Sequence, residues 1–397
     1  MSSTYERINR LPRQSFFLLG MRGVGKSTWV RAVLPDALCI DLLDERLYQD
    51  LLADPSLFAQ SIGHLAPNDW VVVDEVQRLP MLLNEVHRFI ESHRLNFALL
   101  GSSARKLKAA GVNLLAGRAL NKTMFPLTAA ELGADFDLDR ALRCGTLPLV
   151  WGNPEPPAVL EAYTQLYMRE EIRAEALVRN LPGFVRFLPI TALFNGRTIN
   201  IAGIARDAGV ARGTVRGYLE ILEDTLLVHR LPAFESRTRV RERKLPKLYW
   251  VDPGVVRAVK GQLGEVTAEE RGPLLESWVL TTLRAHAGAW TGEAKRLCDE
   301  IAYWSPHQSD AEVDFLLRRG DELLAIEVKA TGRYHTGLLK GLRAIASVPG
   351  LTRRVLVYTG QRSFRSADGI EIWPAERFAA EAANGSLWDW RRRRPGS

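Results

Sequence analysis

Phe16-Phe17-Leu18-Leu19-Gly20-Met21-Arg22-Gly23-Val24-Gly25-Lys26-Ser27 decides the fold of the first part of the chain. Four apolar residues in a row fit a strand buried on both faces of a parallel sheet. Gly20 to Ser27 then match GxxxxGK(S/T) in full, and Thr28 to Leu34 read as a helix. Strand, glycine-rich loop and helix in that order make a phosphate cradle. The glycines let backbone N–H groups turn inward, and the helix N-terminus adds partial positive charge. Gly20, Gly23, Val24, Gly25, Lys26, Ser27 and Thr28 are therefore expected to bind ATP. Lys26 is expected to reach the β- and γ-phosphates, and the Ser27 hydroxyl to bind Mg2+.

Two further strands fit the same sheet. Trp70-Val71-Val72-Val73-Asp74-Glu75 ends in two carboxylates. Asp74 is placed to hold Mg2+ through water, and Glu75 to act as the base that polarises the attacking water. Phe97-Ala98-Leu99-Leu100-Gly101-Ser102-Ser103 ends in hydroxyls. Ser102 or Ser103 is expected to sense the nucleotide or position water; the alternative is that both only cap the next helix.

The order of P-loop, VVVDEVQRLP, LLGSSARKL, LLAGRA and FPLTAAEL resembles a widespread prokaryotic family of AAA+-type ATPases. Members carry a C-terminal domain of unknown function, and the resemblance covers nearly the whole chain. It implies a ring or other multimer, a hexamer first, with nucleotide at subunit boundaries. One subunit then supplies an arginine to its neighbour's γ-phosphate. Arg118 matches the family position best and Arg105 is the alternative; either equally suits a surface ion pair.

Composition sets outer bounds. The 397 residues are too many for one ordinary core, and 46% hydrophobic with 25% charged residues are values of soluble globular proteins. No run of 18 apolar residues exists, so no membrane helix is expected, and the polar N-terminus lacks a signal core. Cys39, Cys144 and Cys298 are scattered, which argues against a disulfide framework or zinc site and fits a reducing cytoplasm. The net charge of +7 favours a polyanionic partner, with basic residues clustered from Arg237 to Lys247 and at Arg391 to Arg394.

The middle of the chain turns helical. Tyr163 to Ile172 has the spacing of an amphipathic helix in a lid or linker. Ile201 to Val210 reads as the first helix and turn of a helix-turn-helix, with Gly209 at the turn, and Ala211 to Leu222 as the second helix. Leu226 to Leu231 and Lys247 to Val251 read as paired strands, separated by a basic wing. Arg212 and Arg216 near the start of the second helix are expected to contact DNA. The wing residues Arg237, Arg239, Arg241, Arg243 and Lys244 would bind its phosphates. The alternative is a winged fold that only packs between domains.

In the C-terminal third, Leu274 to Leu283 is an amphipathic helix carrying Glu276. A hairpin follows, with Asp314 on one strand and Glu327-x-Lys329 on the other. Residues two apart on a strand share a face, so Glu327 and Lys329 point the same way and the hairpin brings Asp314 beside them. The trio resembles the PD-(D/E)xK nuclease superfamily, with Val313 in place of the proline. The resemblance implies that Asp314 and Glu327 bind Mg2+, that Lys329 orients water or stabilises the phosphorane charge, and that Glu276 is the extra helix acid. His335 stands alone on a polar loop and reads as solvent-exposed.

The fold expected is α/β: a P-loop, AAA+-type parallel sheet at 1–133, a helical lid or linker at 134–190, a winged helix at 191–262, a restriction-endonuclease-like α/β domain at 263–390 and a basic tail at 391–397. Three functions compete. One is an ATP-driven oligomeric motor that remodels or translocates on DNA, branched DNA or junctions included. The second is an ATP-coupled, Mg2+-dependent nuclease, and the third a nucleotide-controlled signalling or scaffold switch.

Overall fold

The computed structural model describes residues 5–103, 105, 115, 117–167, 180–234, 245–289, 297–306 and 311–389. They divide into two compact units, Asn9–Phe125 with Leu219–Leu227, and Met1–Ile8 with Pro126–Tyr218 and Val228–Ser397.

The first unit is built on five parallel strands: β1 (Phe16–Leu19), β2 (Leu38–Asp41), β3 (Trp70–Asp74), β4 (Asn96–Gly101) and β5 (Leu120–Thr123), in the order β2-β3-β4-β1-β5. β1, β3 and β4 are central, and their side chains are buried almost throughout, which is why they read as unbroken apolar runs. Phe17, Val71, Val73, Phe97 and Leu99 pack with Val86 and Phe89 of the helix Leu82–His93 in one core. The sheet's order brings the C-terminal ends of β1, β3 and β4 side by side, and ligands bind at such ends in open α/β sheets.

The second unit holds two sheets. In the smaller, β6 (Arg197–Thr198), β7 (Val228–Leu231) and β8 (Lys247–Trp250) run antiparallel in the order β6-β8-β7. The helices Ile201–Ala208 and Arg212–Asp224 lie between β6 and β7 in the chain, joined at Gly209, whose φ of 64° needs a residue without Cβ. The helix Pro156–Ala162 runs on into a π-helical turn at Tyr163–Tyr167, where an α-helix was expected; residues 168–172 lie outside the described residues. Within that turn the Thr164 hydroxyl donates back to the carbonyls of Leu160 and Glu161.

The larger sheet contains β9 (Glu300–Trp304), β10 (Val313–Arg319), β11 (Glu322–Lys329), β12 (Leu351–Tyr358), β13 (Phe364–Arg365) and β14 (Glu371–Pro374), ordered β13-β14-β12-β11-β10-β9. β10 and β11 form the expected hairpin, while β11, β12 and β14 are parallel. The β9–β10 register slips between Val313 and Leu316, a bulge that re-aims the side chains around Asp314. Behind this sheet runs the helix Ala268–Ala289, which buries Leu274, Leu275, Trp278 and Leu283. Buried Asn195 ties this unit together: its Oδ1 accepts from Trp250 N at 2.9 Å and Ser277 Oγ at 3.0 Å, and its Nδ2 donates to Pro273 O at 3.1 Å.

Candidate functional site

The loop after β1 folds as a cradle. Gly23 and Gly25 take φ of 74° and 92°, and Gly25 caps the helix Lys26–Val33, whose first turn has no side-chain cap. Gly20 is fixed by space, since a Cβ there would lie 2.6 Å from the Met124 carbonyl. Val24 is buried, while Thr28 at the outer side of the first turn is exposed. Lys26 is 6% exposed and its ammonium donates to the Gly20 carbonyl at 2.7 Å. A buried ammonium laid along its own loop's carbonyls is a cation ready to receive an anion, and the donor set suits phosphate.

β3 supplies the acids. Ser27 Oγ donates to Asp74 Oδ2 at 2.5 Å, which joins the cradle to the end of β3. Asp74 Oδ1 accepts the Glu75 N–H at 3.0 Å. Glu75 sits in the left-handed region at φ 55°, a conformation rare for a residue with a long side chain, and is buried. Sequence reasoning missed its neighbour Gln77. That amide donates to Glu75 Oε2 and, at 3.0 Å, to Ser102 Oγ, so the ends of β3 and β4 share one polar link. The approach is close enough that a Cβ on Gly101 would fall 2.5 Å from Gln77 Oε1. Ser102 thus belongs to the acidic end of the cradle, whereas Ser103 accepts the Arg105 N–H at 3.1 Å, as a helix cap does.

The two arginines differ. Arg105 is half-buried and pairs with Asp224 at 3.2 Å. Arg118 is exposed on a turn anchored by buried Leu115, and its guanidinium pairs with Glu91. Arg212 and Arg216 are both exposed and stand four apart, hence on one face of their helix. Arg237, Arg239, Arg241, Arg243 and Lys244 lie outside the described residues, as does the tail 391–397.

The second cluster lies on the larger sheet. Asp314 and Glu327 continue the register of the Phe315–Ile326 pair and both are buried. Lys329 Nζ reaches Glu327 Oε1 at 2.6 Å, and Glu276 lies beside them, its Oε2 accepting the Tyr249 hydroxyl at 2.8 Å. The structure thus assembles the four residues expected from sequence and adds Lys247 and Tyr249 of β8, and Glu312. Lys247 pairs with Glu312 and stands 3.7 Å from Asp314 Oδ1. Burial pushes Glu276 and Glu327 up to about 8, and the neighbouring Asp314 charge adds to it. Burial pulls the Lys247 ammonium down, but Asp314, Glu276 and Glu312 more than offset this and raise it. His335 is exposed, as expected.

Three family models match successive parts of the chain. Residues 12–133 match an AAA domain, 135–265 a domain of unknown function (DUF8612) and 271–378 another (DUF4143). With the geometry above, the first match makes residues 12–133 a P-loop domain of the AAA type. Proteins of Mycobacterium bovis and Mycobacterium tuberculosis, both described as uncharacterized, are each 26% identical over 370 residues, covering 91% of this chain and 80% of the relative. Among solved structures, the ORC1 protein of Aeropyrum pernix in complex with DNA is 17% identical, covers 64% of this chain and 87% of its own, and superposes with a TM-score of 0.29. A protein from Vibrio cholerae is 15% identical over 95% of this chain and 98% of its own, with a TM-score of 0.23. Both structural likenesses are too distant to bear on function. No helix among the described residues is long and apolar enough to cross a membrane.

Proposed function

We propose that this protein is an ATP-hydrolysing, DNA-binding motor that works as a homo-oligomer, a hexamer by the family resemblance, and remodels or translocates on DNA, branched DNA included. The observation that carries the ATPase half is the Ser27–Asp74 bond of 2.5 Å, which puts the loop hydroxyl and the β3 carboxylate in one place beside Lys26. Gly20 to Thr28 would hold the triphosphate of ATP, and Ser27 and Asp74 would hold Mg2+. The metal, when bound, neutralises charge on the phosphate oxygens. Lys26 exchanges its carbonyl partners for phosphate oxygens. Glu75 holds the attacking water and takes its proton, with Gln77 and Ser102 setting the direction of its carboxylate. Arg118 exchanges Glu91 for a neighbouring subunit's γ-phosphate.

The DNA half is supported by the helices Ile201–Ala208 and Arg212–Asp224 and the small sheet β6-β8-β7, read together as a winged helix. Arg212 and Arg216 share an exposed helix face, and the chain between β7 and β8 is rich in arginine. Such a surface binds phosphates without a base-specific code, so affinity falls steeply with salt. The test is ATP turnover with Mg2+ across single strands, duplex, forks and four-way junctions, with the same reactions read on a gel. Stimulation by branched DNA with strand separation supports the motor. No response to any DNA refutes it and leaves a nucleotide-controlled switch.

A further inference from the structure

A metal centre built on Asp314 and Glu327 needs both carboxylates to turn lone pairs toward one shared divalent ion, with room for water and a phosphate oxygen. With Lys247 in place, the residues do not fit that demand. Asp314 Oδ2 accepts the Val328 N–H at 2.9 Å, and its Oδ1 faces the Lys247 ammonium at 3.7 Å. Glu327 Oε1 is held by Lys329, and Glu276 by Tyr249. Glu327 Oε2 has no hydrogen-bond partner, yet it is closed over: a Cβ on Gly341 would lie 3.3 Å from it and 2.0 Å from the Glu312 carbonyl. Among the described residues, no three His, Cys, Asp or Glu side chains converge to hold a metal ion.

Lys247 is placed to do what the metal would. It is 4% exposed, pairs with Glu312 and Asp314, and its ammonium lies 5.3 Å from the centre of the Tyr303 ring. Tyr249 stands two residues on along β8, so the same strand face delivers both the cation and the hydroxyl to the acids. Both ammonium groups of the cluster are engaged, Lys247 with Glu312 and Asp314 and Lys329 with Glu327.

We propose that Lys247 is a resident cation of this carboxylate cluster, paired with Glu312 and set beside Asp314, one of the two acids to which the nuclease resemblance gives a divalent ion, so that the cluster binds no metal, cuts no phosphodiester, and joins β8 to the larger sheet. The tests use the full-length protein without nucleotide at pH 7 and follow Mn2+ binding by electron paramagnetic resonance. Wild type and Asp314→Asn should bind the same amount of Mn2+. Lys247→Met should gain one ion per chain, at least about a hundredfold tighter, because a positive charge 3.7 Å from a ligating carboxylate has gone. The double variant Lys247→Met, Asp314→Asn should lose that ion again. Mn2+ bound by wild type and released by Asp314→Asn or Glu327→Gln overturns the proposal, as does a folded Lys247→Met that gains nothing. Should circular dichroism show Lys247→Met unfolded, the comparison of wild type with Asp314→Asn and Glu327→Gln decides alone.

Discussion

Stability of the second unit should fall as pH rises from about 5 to 8, and Glu327→Gln should remove up to half of that fall. Four carboxyls, Glu276, Glu312, Asp314 and Glu327, meet two ammonium groups, Lys247 and Lys329. Two of the acids therefore lack a matching cation, and burial with the Asp314 charge holds Glu276 and Glu327 up to about 8 against an ordinary 4.5. The sign follows from proton counts. Between 4.5 and 8 the folded state keeps protons that the unfolded chain has released. Stability from these groups is thus fully present below the unfolded value and is lost as pH rises through the folded one. Each proton is worth roughly 1.4 kcal/mol per pH unit, or about 3 kcal/mol per carboxyl between pH 5.5 and 7.5. The amide introduced by Glu327→Gln cannot ionise, keeps a carbonyl for Lys329, and cuts the slope by about one proton's worth. Amide hydrogen exchange of β10 and β11, corrected for the intrinsic pH dependence, reads this unit without the ATPase unit's signal. Protection that stays flat in wild type over that range, or a full wild-type slope in Glu327→Gln, refutes the reasoning.

Lys26→Ala removes a buried cation aimed into the cradle and should weaken nucleotide binding about ten- to a hundredfold, measured by fluorescent-nucleotide titration. Glu75→Gln should keep ATP binding and lower turnover at least about a hundredfold, with ATP trapped on a filter; turnover at the parent rate sinks the base assignment. Arg118→Ala gives up an exposed ion pair with Glu91, so its melting temperature should hold while turnover falls. Mixing it with Lys26→Ala subunits should restore part of the activity if sites are shared; no recovery counts against the trans arrangement. Gly341→Ala drives a Cβ to within 2.0 Å of the Glu312 carbonyl and should cost on the order of 2 kcal/mol, read by urea denaturation, whereas Gly213→Ala meets nothing within 4 Å and should not destabilise.

The P-loop was legible because its chemistry sits in one contiguous run: eight residues specify the turn, the cation and the hydroxyl together, and the flanking strand and helix announce themselves by pattern. The same holds for β3, whose apolar run ends at Asp74. Gln77 was not legible, because it acts through a left-handed turn at Glu75 that no propensity favours. The irregular turn at Tyr163–Tyr167 was not legible either, since helical spacing does not distinguish an α from a π turn.

Lys247 shows where counting charge fails. In sequence it closes the basic stretch that begins at Arg237, and summed with its neighbours it reads as one more contact for a polyanion. In the fold it is the residue at which that stretch enters β8, and β8 turns it inward beside Asp314. A charge run says how many cations a segment has, not which of them the next strand will bury. The same limit applies to the Asp314, Glu327, Lys329 pattern, which specifies three positions and leaves open what else stands beside Asp314. Only a strand 65 residues before Glu312 supplies the answer, and pairing that distant is set by the topology of two sheets, not by local spacing. A nuclease-like pattern therefore predicts a site only once every cation beside its acids is known, and here one of them, Lys247, comes from outside the pattern.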